Sequence, residues 1–284
     1  MVDQLLAFDP GGRGIARFFV RGGAARAARA LRRAKRVLLT TGFSLGPGLP
    51  ETDGPPGTAS LGRALRALGA EVTYITDAAS LPPLQAALSV LGEPTWILTF
   101  HAGGDAALTA RRLLAEHAPT HLVAIERPGR TRGGDYRSMR GESVGGWNGP
   151  LDALFLEAPR RVVTVGVGDG GNEIGMGKIP WSVIRRNIPN GGLVACRTPT
   201  DHLIVCGVSN WGAYGLAAGV RILKGASLDE DLFDPEREKE ILEVIVEKGP
   251  LVDGVSGLPT ATVDGLPDDD YFRVMKLLRS IEKR

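Results

Sequence analysis

The stretch RVVTVGVGDGGNEIGMGK, residues 161–178, combines the two features that decide the fold. Its first seven residues, 161–167, form an apolar run rich in valine, which is typical of a buried strand in a parallel sheet. The rest is a glycine-rich segment that carries Asp169, Asn172 and Glu173 among its glycines. A buried strand that runs directly into such a loop indicates an α/β protein that binds its ligand on the loops.

The same succession of an apolar segment and a polar, glycine-rich turn recurs along the chain. We predict strands over residues 36–40, 71–76, 95–100, 121–126, 161–167 and 202–206, with helical segments between them. This alternation predicts an α/β fold, built on an open, mostly parallel Rossmann-like sheet with helices on both faces.

The predicted sheet lies within one α/β domain that spans residues 1–284. Residues 230–284 form a C-terminal helical/hairpin extension, with a hairpin-like stretch over 252–266 between two helices. Near the other end, residues 15–33 are predicted to be a helix. It breaks or bends at Gly22 and Gly23, because its two apolar faces are out of register.

Composition restricts the class of protein. The chain has 284 residues, 43% hydrophobic and 23% charged, so it can bury a core. The net charge of +2 argues against nucleic acid as the main partner, and the two cysteines, Cys196 and Cys206, give no disulfide framework. No apolar run reaches the roughly 18 residues of a membrane span, and residues 1–10 lack the pattern of a signal peptide. We therefore expect a cytoplasmic protein.

Polar and glycine residues gather just after the predicted strands. They are Thr41 and Gly42 after the first strand, Glu126 and Arg127 after the fourth, Asp169, Gly170 and Gly171 after the fifth, and Ser209 and Asn210 after the sixth. The carboxyl ends of parallel strands share one edge of the sheet, where ligands bind at the reversal of strand order. We expect these loops to surround one crevice.

The glycine-rich loop matches a dinucleotide fingerprint incompletely. Gly166, Gly168 and Gly171 give the spacing G-x-G-x-x-G, but Asp169 would repel a pyrophosphate inside it, and no acid follows about 20 residues on. Glycine N–H groups suit an anion, and neighbouring carboxylates suit a metal or an ammonium group. An amino acid carries both charges. The alternative is a turn in which Asp169 and Asn172 cap helices.

Two further segments carry charges at the predicted crevice. In a turn-rich segment, either Thr52 and Asp53 cap local backbone, or the acids Glu51 and Asp53 form a cation or amine site. Arg127 and Arg140 suit a carboxylate, because a guanidinium binds carboxylates through two parallel hydrogen bonds. Alternatively, Arg127 pairs with a neighbouring acid as part of the structure.

Eight motifs in order resemble the D-glutamate cyclase C-terminal domain family. They are TTGF (40–43), PETDGPPG (50–57), IERPGR (125–130), MRG (139–141), VGVGDGGNEIGMGKI (165–179), SNWGAYG (209–215), VDGVSG (252–257) and TVDGL (262–266). The resemblance runs from about Gly14 to Leu266, and its most specific segment is GDGGNEIGMGK. Vertebrate members of this family carry an additional N-terminal half that resembles a hydro-lyase family.

The resemblance implies a hydro-lyase that dehydrates D-glutamate, or a similar small acidic amino acid, to 5-oxo-D-proline. Asp53, Asp169 and Glu173 would then be its acid and base, or the ligands of a divalent metal such as Mg²⁺ or Mn²⁺, although the sequence itself requires no cofactor. The implied substrate-binding residues are Thr41, Gly42, Arg127, Arg140, Gly170, Gly171, Asn172, Ser209 and Asn210. No nucleic acid or membrane partner is expected, and a homodimer is left open.

Two other functions compete with the cyclase. The glycine-rich loops would hold phosphate in a nucleotide-dependent enzyme, or the crevice would belong to a small-molecule binder without catalytic activity.

Overall fold

A six-stranded parallel sheet forms the centre of the protein. The computed structural model describes residues 1–101, 104–226 and 230–282. The strands are β1 (Arg36–Thr41), β2 (Glu71–Thr76), β3 (Ile97–Thr99), β4 (His121–Ile125), β5 (Val163–Gly168) and β6 (His202–Val205). Their order is β3-β2-β1-β4-β5-β6, and each neighbouring pair is parallel. The predicted α/β class and open Rossmann-like sheet are confirmed.

Helices cover both faces of the sheet. They are α1 (Val2–Leu6), α2 (Gly23–Leu31), α3 (Pro55–Ala67), α4 (Leu81–Val90), α5 (Ala106–His117), α6 (Asp152–Leu156), α7 (Trp181–Asn187), α8 (Gly191–Val194), α9 (Ser209–Lys224), α10 (Pro235–Lys248) and α11 (Asp268–Glu282). On one face α2, α3 and α9 pack with α4, α10 and α11 around the largest apolar cluster. On the other, α5 and α6 cover a smaller cluster. None of the described helices is long and apolar enough to cross a membrane.

The strand order brings three loops together. The strand order reverses between β1 and β4. The strands β2 and β3 lie on one side of this pair, and β5 and β6 lie on the other. In the register, Thr41 pairs with Ile125, and Ile125 pairs with Val167. The loops that follow β1, β4 and β5 therefore start side by side, at the position where open α/β sheets bind ligands.

Two segments differ in detail from the expected elements. Residues 15–33 are indeed interrupted: a short 3-10 turn at Ile15–Arg17 is followed by α2, which begins after Gly22 in a left-handed conformation with φ +72°. Residues 252–266 form no strand pair. They fold into a loop around Asp253, whose carboxylate accepts the backbone N–H groups of Val255, Ser256 and Gly265.

The C-terminal helices are joined to α9 by buried polar contacts. Tyr271 of α11 accepts a hydrogen bond from the indole N–H of Trp211 through its backbone carbonyl at 3.1 Å. The carboxylate of Glu238 in α10 accepts the hydroxyls of Tyr214 and Tyr271 at 2.5 and 2.6 Å. The second of the two helices expected in the C-terminal extension is α11.

Candidate functional site

A cavity of about 310 Å³ opens beyond the ends of β1, β4 and β5. Small-molecule sites typically span roughly 300–1,000 Å³. Its charged or amide-bearing lining residues are Arg13, Glu51, Glu126, Arg140, Glu142, Asp169, Asn172, Glu173 and Asp264. Its apolar walls come from Phe43, Leu45, Met139, Ile188, Pro189 and Val255. The cavity therefore suits a small ligand that carries charge.

Three buried carboxylates converge at this edge of the sheet. Asp53, Glu126 and Asp169 each bring one oxygen to within 4.8 Å of the other two. Glu126 and Asp169 directly follow the neighbouring strands β4 and β5, and Asp53, in the loop after β1, is held beside them by backbone N–H groups at the start of α9. Carboxylate oxygens are ligands of Mg²⁺ and Mn²⁺ and also accept hydrogen bonds from ammonium groups. The cluster is therefore chemically suited to a cation.

Burial is the main cause that raises the pKa of each acid in this cluster. It raises the pKa of Asp53 to about 8, with a further contribution from the carboxylate of Asp264. Burial also raises the pKa values of Glu126 and Asp169 well above their usual range, although the guanidinium of Arg13 opposes the shift at Asp169. Acids in this setting are stabilised when they hold protons or when a cation neutralises them.

Two acids that line the cavity have unusual backbones. The φ angles of Glu126 and Asp264 are +42° and +58°, in the left-handed region that favours glycine. The neighbouring strands hold Glu126 in place, because its N–H donates to Val167 and its carbonyl accepts the N–H of Gly42. Strained residues of this kind cluster at functional sites.

Arg13 brings positive charge to the cavity. Its Nη1 pairs with Asp169, and its Nη2 lies 2.5 Å from Oδ1 of Asp264. The loop that presents it closes on Asp9, whose carboxylate accepts the backbone N–H groups of Arg13 and Gly14 at 2.9 and 2.7 Å. Burial alone would lower the pKa of Arg13, but the surrounding carboxylates raise it, so the group stays charged.

Glu173 organises the glycine-rich loop. Its carboxylate accepts the backbone N–H groups of Asp169, Gly170 and Gly171 at 3.1, 2.6 and 2.8 Å. These are the N–H groups that a phosphate or a substrate carboxylate would need, so Glu173 occupies the predicted anion site of Gly170 and Gly171. Asn172 lines the cavity, and its side-chain amide donates to the carbonyl of Arg137.

Ser209 and Asn210 support the acid cluster from the start of α9. Their backbone N–H groups donate to the two carboxylate oxygens of Asp53, both at 2.8 Å. The Ser209 hydroxyl donates to Glu126 at 2.5 Å, and the side-chain oxygen Oδ1 of Asn210 accepts the N–H of Gly54 at 3.0 Å. Asp53 thus caps a helix and belongs to the cluster at the same time.

The two predicted clamp arginines lie in different surroundings. Arg127 is fully buried, and its guanidinium donates to Asp77 at 2.5 Å and to the carbonyls of Gly42 and Gly149. It does not line the cavity, so its placement corresponds to the structural alternative. Arg140 is exposed at the rim of the cavity, and it donates to the carbonyl of Val255 at 3.1 Å.

Thr41 and Gly42 support the crevice from beneath. Neither lines the cavity, and Thr41 is fully buried at the end of β1. Gly42 has a φ of +105°, and a Cβ on it would lie 2.2 Å from the hydroxyl oxygen of Ser80. Only glycine fits that turn.

Sequence reasoning placed Glu126 at the crevice without giving it a role in the site, and it missed Arg13 and Asp264. Position after a strand was the available signal for Glu126, which directly follows β4. Arg13 precedes the first strand, and Asp264 follows the last one, so neither belongs to a strand-end loop. Loops from both ends of the chain reach over the sheet edge and complete the cavity.

A comparison with known families decides which family the chain belongs to. The family described as D-glutamate cyclase-like, C-terminal, matches residues 2–279. The chain belongs to this family. Human mitochondrial D-glutamate cyclase is similar to this D-glutamate cyclase-like chain, with 34% identity over 303 aligned positions. The alignment covers 94% of the chain and 48% of the human protein, so the chain spans about half the length of that relative.

Solved structures resemble this D-glutamate cyclase-like chain remotely. RecJ from Thermus thermophilus, in complex with Mn²⁺, has a TM-score of 0.40 and 14% identity, covering 87% of this chain and 28% of RecJ. An exopolyphosphatase-related protein from Bacteroides fragilis has a TM-score of 0.43 and 10% identity, covering 94% of this chain and 58% of that protein.

Proposed function

We propose that the protein is a lyase that closes a small acidic amino acid into a ring with loss of water, and that D-glutamate is its substrate. The observation that carries the proposal is the cavity in which buried carboxylates face an arginine. Membership of the D-glutamate cyclase-like family supports the choice of substrate. A dicarboxylic amino acid offers an ammonium group to the carboxylates and a carboxylate to the arginine.

The reaction needs a proton acceptor and a proton donor. The amine nitrogen bonds to the carboxyl carbon (Cδ) of the γ-carboxylate, one C–O bond of that carboxylate breaks, and the two protons lost by the ammonium leave with the released oxygen as water. Asp169 lines the cavity, and its Oδ2 is buried without a hydrogen-bond partner among the described residues. It is therefore the residue that we assign to proton transfer, with Asp53 beside it. Such transfer typically contributes 10²–10⁴-fold to a rate.

The divalent metal that the resemblance allows, but that the sequence does not require, would find a donor set in this cluster. Asp53, Glu126 and Asp169 would hold it, whereas the oxygens of Glu173 already accept three N–H groups. For Asp169 this role is the alternative to proton transfer, because the same Oδ2 cannot bind a metal and accept a proton at once. When bound, the metal would neutralise the buried acids and act as a Lewis acid towards a carboxylate oxygen.

The direct test is to incubate the purified chain with D-glutamate and measure 5-oxoproline by chiral chromatography, with and without Mg²⁺ or Mn²⁺. We expect product above the uncatalysed rate, with D-glutamate preferred to L-glutamate. Asp169→Asn should abolish turnover, and Glu157→Gln, which removes a charge from an exposed ion pair, should not. Absence of product under all of these conditions would overturn the proposal.

A further inference from the structure

We propose that Arg13 and Asp264 form the subsite that recognises the α-amino acid end of the substrate. The Arg13 guanidinium binds the α-carboxylate, and the Asp264 carboxylate binds the ammonium group. This inference rests on the proposed function and names the residues that recognise one end of the ligand.

Asp264 has an oxygen that lacks an N–H donor. Its Oδ1 lies 2.5 Å from Nη2 of Arg13, but its Oδ2 is buried, receives no N–H group from the described residues, and belongs to a carboxylate that interacts with the carboxylate of Asp169. The side chain is 6% exposed and lines the cavity. A buried acceptor without a donor costs free energy, and an ammonium group supplies three donors. A ligand ammonium in the cavity would therefore satisfy this oxygen.

Arg13 is the complementary half of the subsite. Its side chain is 20% exposed, so a ligand in the cavity can reach it. A guanidinium has five N–H donors, and the ion pairs with Asp169 and Asp264 involve one terminal nitrogen each. Its planar fork matches a carboxylate through two parallel hydrogen bonds. N–H donors of Arg13 therefore remain that a ligand carboxylate in the cavity could accept.

Arg13 and Asp264 lie close enough together to bind the two charged groups of one amino acid. The α-ammonium and the α-carboxylate are bonded to the same carbon, and Arg13 and Asp264 present opposite charges side by side. The other two candidate arginines fit this role less well. Arg127 is occupied by Asp77 and two carbonyls, and Arg140 is exposed at the rim.

The test combines ligands that each lack one charged group with variants that each lack one side-chain charge. Calorimetry measures the binding of D-glutamate, of 4-aminobutyrate, which lacks the α-carboxylate, and of glutarate, which lacks the ammonium. We expect Arg13→Gln to weaken D-glutamate roughly 10- to 100-fold, as for a lost charge-assisted contact, and to leave 4-aminobutyrate unchanged. Asp264→Asn should weaken D-glutamate similarly and spare glutarate. Arg17→Gln, on an exposed side chain of the same segment, is the control.

A second variant of Arg13 distinguishes the loss of a ligand contact from misfolding. Arg13→Lys keeps the positive charge between the acids but loses the planar fork, so it should bind D-glutamate more weakly than the wild type and 4-aminobutyrate equally well. Thermal unfolding of every variant shows whether it is folded.

The outcomes separate this inference from the proposed function. Equal weakening of D-glutamate and 4-aminobutyrate by both arginine variants would mean that Arg13 acts on structure alone, and it would overturn the subsite. Unchanged turnover in Arg13→Gln would also overturn the subsite, but it would leave the cyclase proposal intact. The expected ligand pattern without any 5-oxoproline would support the subsite and overturn the cyclase. No binding of D-glutamate to the wild type would overturn the subsite.

Discussion

The carboxylate of Glu173 accepts the backbone N–H of Gly170 at 2.6 Å. The same carboxylate accepts the N–H groups of Asp169 and Gly171, so one side chain fixes the loop that carries Asp169. Glu173 therefore shapes the site through the backbone, and its removal should affect both folding and activity.

Glu173→Gln is expected to lower the free energy of unfolding by about 1–3 kcal/mol. Its amide oxygen can still accept N–H groups, but its NH₂ would face a backbone donor, which leaves a buried N–H without an acceptor. Denaturant unfolding measures the loss, with Glu157→Gln as the control. Unchanged stability together with lost turnover would show that Glu173 acts directly on the substrate instead.

Arg127→Met is expected to destabilise the fold by about 3–5 kcal/mol, because it leaves the carboxylate of Asp77 buried without its partner. Adding Asp77→Asn should recover part of the loss. Urea unfolding of the wild type, the single variant and the double variant measures both effects. Wild-type stability with a raised KM would return Arg127 to the substrate site.

Asp53→Asn is expected to abolish the binding of Mn²⁺ to the acid cluster. The variant removes one of three converging carboxylates but keeps one oxygen, which can accept one of the two N–H groups of α9 that the carboxylate accepts. Electron paramagnetic resonance of added Mn²⁺ follows binding without any reliance on activity, and Glu157→Gln should bind as the wild type does. Equal Mn²⁺ binding by all three proteins would remove the cluster as a metal site.

Glu238 should make stability depend on pH. Burial raises its pKa to about 7, against the effect of the Tyr214 and Tyr271 hydroxyls, whereas an unfolded glutamate has a pKa of about 4.3. Its contribution to stability is therefore complete below about pH 4.3 and is lost as the pH rises to about 7.

Glu238→Gln keeps an oxygen for both tyrosine hydroxyls and removes this titration. The wild type should lose roughly 3 kcal/mol relative to the variant between pH 4 and 7. Urea unfolding across this range measures the difference. Parallel stability curves for the two proteins would contradict the prediction.

Sequence patterns predicted the sheet well because its strands are short apolar runs with turns between them. Residues 121–125 are buried throughout β4, and the loops after β1, β4 and β5 meet as expected from parallel strands. The hairpin-like stretch over 252–266 is different. Its residues do form turns, but the backbone N–H groups of these turns donate to the carboxylate of Asp253. No alternation of apolar and polar residues predicts a strand there.

The site was harder to predict because its contacts are long-range or local to the backbone. The spacing of Glu173 from Gly170 and Gly171 does not show whether their N–H groups point to a ligand or to the protein. From the sequence, the guanidinium of Arg127 could pair with a ligand carboxylate or with an acid of the protein. Only the folded position of Asp77 decides between these two. The pairing of Arg13 with Asp264 connects segments near opposite ends of the chain and leaves no local signal.

The pairing of Arg13 with Asp264 also has a consequence for protein synthesis. Arg13 leaves the ribosome before any strand of the sheet, whereas Asp264 is added after all six strands. A chain that stops before residue 264 would contain every strand of the sheet but would leave Arg13 with Asp169 alone. If Arg13 and Asp264 bind the substrate as proposed, such a truncated chain would keep only the arginine half of the subsite, so we expect it to bind D-glutamate weakly even where its sheet folds.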